Sequence, residues 1–228
     1  YILDISQPAN PRVLADYNAG GTVWDVQING NYAYLATNNA SKELQVLDIS
    51  NKNNPVQAAY YNIPGSQNVT GLDQIASTTY AASLNDDTLY AFDTTNPNAI
   101  SLRGSLNTGR ALREVSAGPD YVFVATQTSN ANLLAIDVRN WSSMSVVGTY
   151  NAGLSCNDLF YEKAKDRVLL GCNVKSGNPS FPNLFVIDAR NPSSLSLLSS
   201  KATSYNLIDM YLWGTRIYLT SDTGTEPV

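Results

Sequence analysis

The stretch from Asp25 to Pro55, DVQINGNYAYLATNNASKELQVLDISNKNNP, decides the fold. It opens with alternating apolar residues in Val26-Gln27-Ile28 and turns at Asn29-Gly30-Asn31. A second short strand runs from Tyr32 to Thr37, and a third ends in Leu44-Gln45-Val46-Leu47-Asp48 before an Asn- and Pro-rich turn. Short β-favouring runs joined by Asn-Gly and Asn/Pro turns are the pattern of antiparallel hairpins, because glycine and asparagine accept the turn dihedrals that other residues resist.

Working outward, the same unit recurs. The apolar-x-apolar-Asp motif appears at Asp4, Asp48, Asp93, Asp137 and Asp188, with spacings of 44, 45, 44 and 51 residues. Each copy is followed by a polar turn and a further strand, such as Arg12 to Tyr17, Val56 to Tyr61 and Ser145 to Tyr150. A second acidic position then recurs at Asp25, Asp73, Glu114, Asp158 and Asp209. Each unit therefore holds four short strands, the content of one propeller blade, and no stretch sustains helical periodicity. The expectation is an all-β, five-bladed β-propeller of four-stranded antiparallel blades. It would be a single domain over residues 1–228, with five repeats of about 45 residues.

These motifs resemble the LVIVD repeat, in which Asp-Val-x-Val, a Gly-Asn turn, Tyr-Ala-Tyr-Val-Ala and Leu-x-Val-Ile-Asp-Val-Ser-Asn-Pro succeed one another. Asp25 to Pro55 follows that pattern most fully; the units around Asp73 and after Cys156 follow it less well. The resemblance implies a propeller and does not name an activity, since such scaffolds host many functions. By analogy with related propellers, the Asp25-type strand lies innermost and the Val56-type strand outermost.

The chain starts at a third strand and finishes after a second one, so both ends are expected to share a composite last blade. Closure would satisfy strand edges that otherwise expose unpaired N–H and C=O groups. Two alternatives stand beside it: a fragment of a longer ring or array, and half-blades exchanged head-to-tail between molecules.

Tyr1 is preceded by no initiator Met or charged-then-apolar leader, so a mature or excised piece of a longer precursor is expected. The net charge of -5 and the absence of any basic run argue against a nucleic-acid partner. No apolar stretch is long enough to span a bilayer. Polar, Lys-poor composition suggests an extracellular or cell-surface setting.

Cys156 and Cys172 flank a hairpin centred near Ala164, which places them opposite one another on adjacent strands, within reach of a disulfide. Such a bond favours an oxidising compartment. Asn39, Asn68 and Asn140 head Asn-x-Ser/Thr triplets that match the N-glycosylation pattern.

With no His in the chain, Ser-His-Asp triads and His-ligated metal sites are excluded. Glycoside hydrolysis by two carboxylates remains chemically open. The acids Asp25, Asp73, Glu114, Asp158 and Asp209 are expected around one mouth of the central channel. If they converge, repulsion favours a bound cation such as calcium, or protonation of some of them. The plainer reading is that each accepts hydrogen bonds from neighbouring amides and fixes blade geometry. Asp4, Asp48, Asp93, Asp137 and Asp188 are read as Asx-turn stabilisers, as are Asn18, Asn62, Asn107 and Asn151 before the blade-to-blade connections.

The longest insertion, Asn173 to Asn183, carries Pro179, Phe181 and Pro182 and is the candidate partner loop, unless Phe181 tucks against its own blade. The leading expectation is a non-catalytic extracellular binding or assembly module, with protein or glycan at the cell surface as partner. A sugar-binding propeller and a self-polymerising structural protomer are its competitors.

Overall fold

The computed structural model describes residues 1–65, 67–128 and 130–222. It is all-β, apart from single 3-10 turns at Trp141–Ser143 and Lys163–Lys165. Four four-stranded antiparallel sheets follow one another along the chain. Blade 1 comprises β3 (Val23–Asn29), β4 (Tyr32–Thr37), β5 (Leu44–Asp48) and β6 (Val56–Tyr61), in that order from the inside. Blade 2 comprises β7 (Val69–Ile75), β8 (Thr78–Ser83), β9 (Thr88–Asp93) and β10 (Ser101–Asn107). Blade 3 is β11 (Leu112–Ala117), β12 (Tyr121–Thr126), β13 (Leu133–Asp137) and β14 (Ser145–Tyr150). Blade 4 is β15 (Cys156–Glu162), β16 (Arg167–Cys172), β17 (Leu184–Asp188) and β18 (Ser196–Lys201). At the two ends stand two-stranded sheets, β1 (Ile2–Asp4) with β2 (Arg12–Ala15), and β19 (Asn206–Trp213) with β20 (Arg216–Asp222).

The strands β3, β7, β11, β15 and β19 pack consecutively, which confirms the acid-bearing strands as the inner ones. The core lies between blades rather than within them, because each strand offers alternate side chains to the sheets on either side. Tyr34 and Val46 of blade 1 meet Leu72, Ala81 and Phe92 of blade 2. Tyr80 and Leu89 of blade 2 meet Leu112, Val122 and Leu134 of blade 3. Phe123 and Leu133 of blade 3 meet Leu159, Val168 and Phe185 of blade 4. Close approach is enforced at Gly148, where a Cβ would stand 1.9 Å from the carbonyl oxygen of Pro192 in the next blade's turn.

The expected composite fifth blade does not form. Among the described residues, β1–β2 and β19–β20 remain separate sheets, so the ring is not closed by strand pairing. The physical reason is connectivity. Within a blade, short turns hold successive strands at pairing distance, whereas no turn links β20 to β1 and their meeting depends on the accumulated curvature of the whole arc. The consequence shows in burial: Tyr17 and Ala19 pack with Ala33, Leu35 and Leu47 over only part of blade 1's free face. The inner part, Val23, Val26 and Ile28, stays open, with Val26 49% exposed.

Candidate functional site

The five inner acids do not form one ring. In each inner strand the register shifts by one residue near its start, and the position after the shift is Asp25, Gly71, Glu114, Asp158 or Asp209. Asp73 lies two residues beyond, level with Ser116, so sequence matching set it one tier too far along. The signal was present in the spacing: Asp25, Gly71, Glu114 and Asp209 each stand seven residues before the first residue of the following strand, Tyr32, Thr78, Tyr121 and Arg216.

Each tier links neighbouring blades. Asp25 accepts from its own strand's Val26 amide (2.6 Å) and from Leu72 N–H of blade 2 (2.7 Å). Asp73 accepts from Gln74 (2.7 Å) and from Ala117 N–H of blade 3 (2.7 Å). Ser116 Oγ continues that second tier, accepting from Tyr161 N–H of blade 4 at 3.2 Å. Glu114 accepts from Val115 and folds back over Gly71, where a Cβ would lie 2.6 Å from its Oε1. The absent side chain at 71 and the longer one at 114 are thus two halves of one packing solution.

Asp25, Glu114, Asp158 and Asp209 line an axial cavity of about 390 Å³ together with Trp24 and Arg113. Arg113 sits 5.0 Å over the Trp24 ring. Burial pushes the Glu114 carboxyl well above its usual range, and the charges of Asp25 and Asp158 push the same way. Asp158 is raised to about 8, by burial first and then by the charge of Asp209, against the pull of the Leu159 and Met210 amides. Burial likewise raises Asp25 and Asp73, while the amides they accept from draw them down. Among the described residues no three acids come together as a metal-ligand set. Burial and the neighbouring carboxylates both favour the protonated forms of Glu114 and Asp158.

The third-strand aspartates behave oppositely. Asp4, Asp48, Asp93, Asp137 and Asp188 each accept an N–H from the residue two places on: Ser6, Ser50, Thr95, Arg139 and Arg190 respectively. Hydrogen bonds from that residue hold Asp4, Asp93 and Asp188 down to about 2, with further help from Arg12, Arg103 and Arg190. Asn18, Asn107 and Asn151 form the expected turns onto Gly20, Gly109 and Gly153.

Cys156 and Cys172 are directly opposed in the β15–β16 register and bonded to each other. Of the sequon asparagines, Asn140 is exposed and caps the Trp141 turn through its side-chain oxygen, accepting from Ser142 N–H. Asn39 Nδ2 is engaged with Ala19 O at 2.8 Å, and Asn68 Nδ2 with Asn85 at 3.4 Å. In the blade 4 insertion, Phe181 is partly buried against the core shared by blades 3 and 4 and lies under Lys175 Nζ, 4.3 Å from the ring centroid, while Pro179 is exposed. Asn173 accepts from Asn157 (2.6 Å), and Asn183 is fully buried, donating to Cys172 O and Tyr205 O and accepting from Thr203 N–H.

Sequence reading missed the position just before the third strand. Glu43, Asn132 and Asn183 are buried there and accept from backbone amides of the chain leaving the blade, at Ile63, Ala152 and Thr203. A polar residue immediately ahead of Leu44, Leu133 and Leu184 was the available signal.

The hollows between blades are unlike one another. One of about 310 Å³ is lined by Tyr80, Asp120, Arg139 and Trp141, another of about 240 Å³ by Tyr121, Tyr161 and Arg190. Their aromatics are engaged locally, with Trp141 Nε1–H donating to Tyr80 and Tyr161 O–H to Asp166.

Comparison with known proteins matches the LVIVD repeat model to residues 1–19, 20–63 and 109–152. The chain carries LVIVD repeats. The repeat model passes over residues 64–108, the blade where Gly71 replaces the acid, and everything after 152, including blade 4, which keeps Asp158. No curated protein matches the sequence. Solved structures share the propeller architecture of these LVIVD repeats at low identity. A functionally unknown protein from Desulfotomaculum acetoxidans aligns with TM-score 0.73 and 9% identity, over 90% of this chain and 65% of its own. The periplasmic gluconolactonase PpgL of Pseudomonas aeruginosa aligns with TM-score 0.65 and 16% identity, over 80% and 54%. The Cps50 (Swd1) β-propeller domain of Myceliophteria thermophila aligns with TM-score 0.64 and 13% identity, over 88% and 62%. The chain thus spans less than two thirds of each of these neighbours.

Proposed function

We propose that this LVIVD-repeat chain is a non-catalytic, extracellular or cell-surface β-propeller acting as a binding and assembly module. One observation carries the reading: the recurring inner acids are engaged with backbone amides of neighbouring blades, Asp25 accepting from Leu72 N–H and Asp73 from Ala117 N–H, which is a scaffolding role. The disulfide between Cys156 and Cys172 and the exposed Asn140 sequon support an oxidising, secreted setting.

A second reading rests on the axial cavity. Glu114 and Asp158 are buried carboxyls whose surroundings favour the protonated form, with Asp158 raised to about 8, a condition suited to general acid catalysis. Distant neighbours of the same fold include a protein named as a gluconolactonase, at 16% identity. A screen of lactones and glycosides separates the two readings. The module reading expects no turnover that Glu114→Gln or Asp158→Asn removes; turnover abolished by either change in a normally folded protein would contradict it.

A further inference from the structure

We infer that the axial cavity binds a small organic cation, a short alkyl chain ending in ammonium or guanidinium groups. This rests on the binding-module reading above and names a ligand class for it. An oxygen left over supplies the first argument. In blade 1, Asp25 has both carboxylate oxygens taken, by the Val26 and Leu72 amides. Its blade 4 counterpart, Asp158, is only 7% exposed and accepts at Oδ1 from Leu159 N–H at 2.8 Å. Its Oδ2, on the wall of the cavity, has no hydrogen-bond partner among the described residues. A buried acceptor without a donor is costly, and a ligand N–H at that wall supplies one.

Charge and shape supply the second argument. The carboxylates of Asp25, Glu114, Asp158 and Asp209 line the cavity against a single guanidinium, that of Arg113. A walled cleft dominated by one sign of charge concentrates ions of the other. Among the described residues no three acids gather closely enough to ligate one metal ion, so the cation that answers them is longer than a single ion. The cavity, at about 390 Å³, has room for a short diamine. Trp24 lines it too, is 43% exposed, and holds the Arg113 guanidinium 5.0 Å from its ring, so this indole already receives a cation. One end of the ligand is thus assigned to Asp158 and Asp209, whose charges act on each other, and the other to Trp24.

Isothermal titration calorimetry of the full chain tests this, with agmatine, putrescine and the uncharged 1,4-butanediol as probes, at a pH above about 8 where Asp158 is ionised. Both amines should bind at one site per chain, and butanediol should not. Asp209→Asn, at an exposed position, and Trp24→Ala should each weaken amine binding about tenfold, with circular dichroism unchanged. Failure of both amines to bind, or binding that neither substitution weakens, would overturn the inference and leave the module reading standing. Calcium binding in place of the amines, lost in Asp209→Asn, would overturn it in favour of a metal ion. Turnover removed by Glu114→Gln would instead contradict the module reading, whatever the amines do.

Discussion

Blade 3 and the two half-blades are made of the same repeat, yet they differ in what surrounds them. In blade 3, Val122, Val124, Leu134 and Ile136 are fully buried between blades 2 and 4. In the half-blades, Leu3, Tyr211 and Trp213 are more than half exposed, because on at least one side no neighbouring sheet covers them. A propeller strand thus owes its burial to its neighbours rather than to its own sheet. Stability should fall from the middle of the arc toward both ends.

The sharpest way to break that contrast is Leu134→Ala, expected to cost about 2–5 kcal/mol in denaturant unfolding because a closed inter-blade core cannot refill the cavity. Val26→Ala, on the uncovered face, is expected to stay within about 0.5 kcal/mol. Equal costs at the two sites would remove the distinction. Next in size, replacing Cys156 and Cys172 by serine should cost roughly 3 kcal/mol, as for a cross-link closing a short loop, read as a lowered unfolding midpoint under non-reducing conditions. Smaller again, Asp25→Ala leaves the Leu72 amide without its acceptor and should cost about 1–3 kcal/mol; calorimetry checks it.

The smallest effect contrasts the two classes of acid. Glu114 and Asp158 bind protons more tightly in the folded chain. Their contribution is full below the ordinary carboxylate range and fades as pH rises, for Asp158 up to about 8. Asp4, Asp93 and Asp188, held near 2, contribute at neutral pH and lose that contribution as pH falls toward 2. Melting temperature should therefore peak in mildly acidic buffer. Asp158→Asn should flatten only the alkaline side of the peak, and Asp188→Asn only the acidic side; a single profile shared by both variants would contradict the division.

Much of this was legible in the residues. Strand order, the Asx turns at the third-strand aspartates and the Cys156–Cys172 pairing all follow from local periodicity and turn chemistry, which act over a few residues. What the sequence hid is non-local. Asp73 was placed level with Asp25 because the acid itself was matched, whereas the equivalent position, Gly71, carries no side chain to mark it. The composite blade was inferred from counting strands, but whether β20 meets β1 depends on the curvature of four intervening sheets, which no motif encodes.

Amide hydrogen exchange along the chain tests most directly whether neighbouring sheets set each strand's stability. The amides of β12, which is buried, should exchange slowest, and those of the exposed β20 much faster. Protection of β20 equal to that of β12 would mean that burial by neighbouring sheets does not govern local stability, and the account would be wrong.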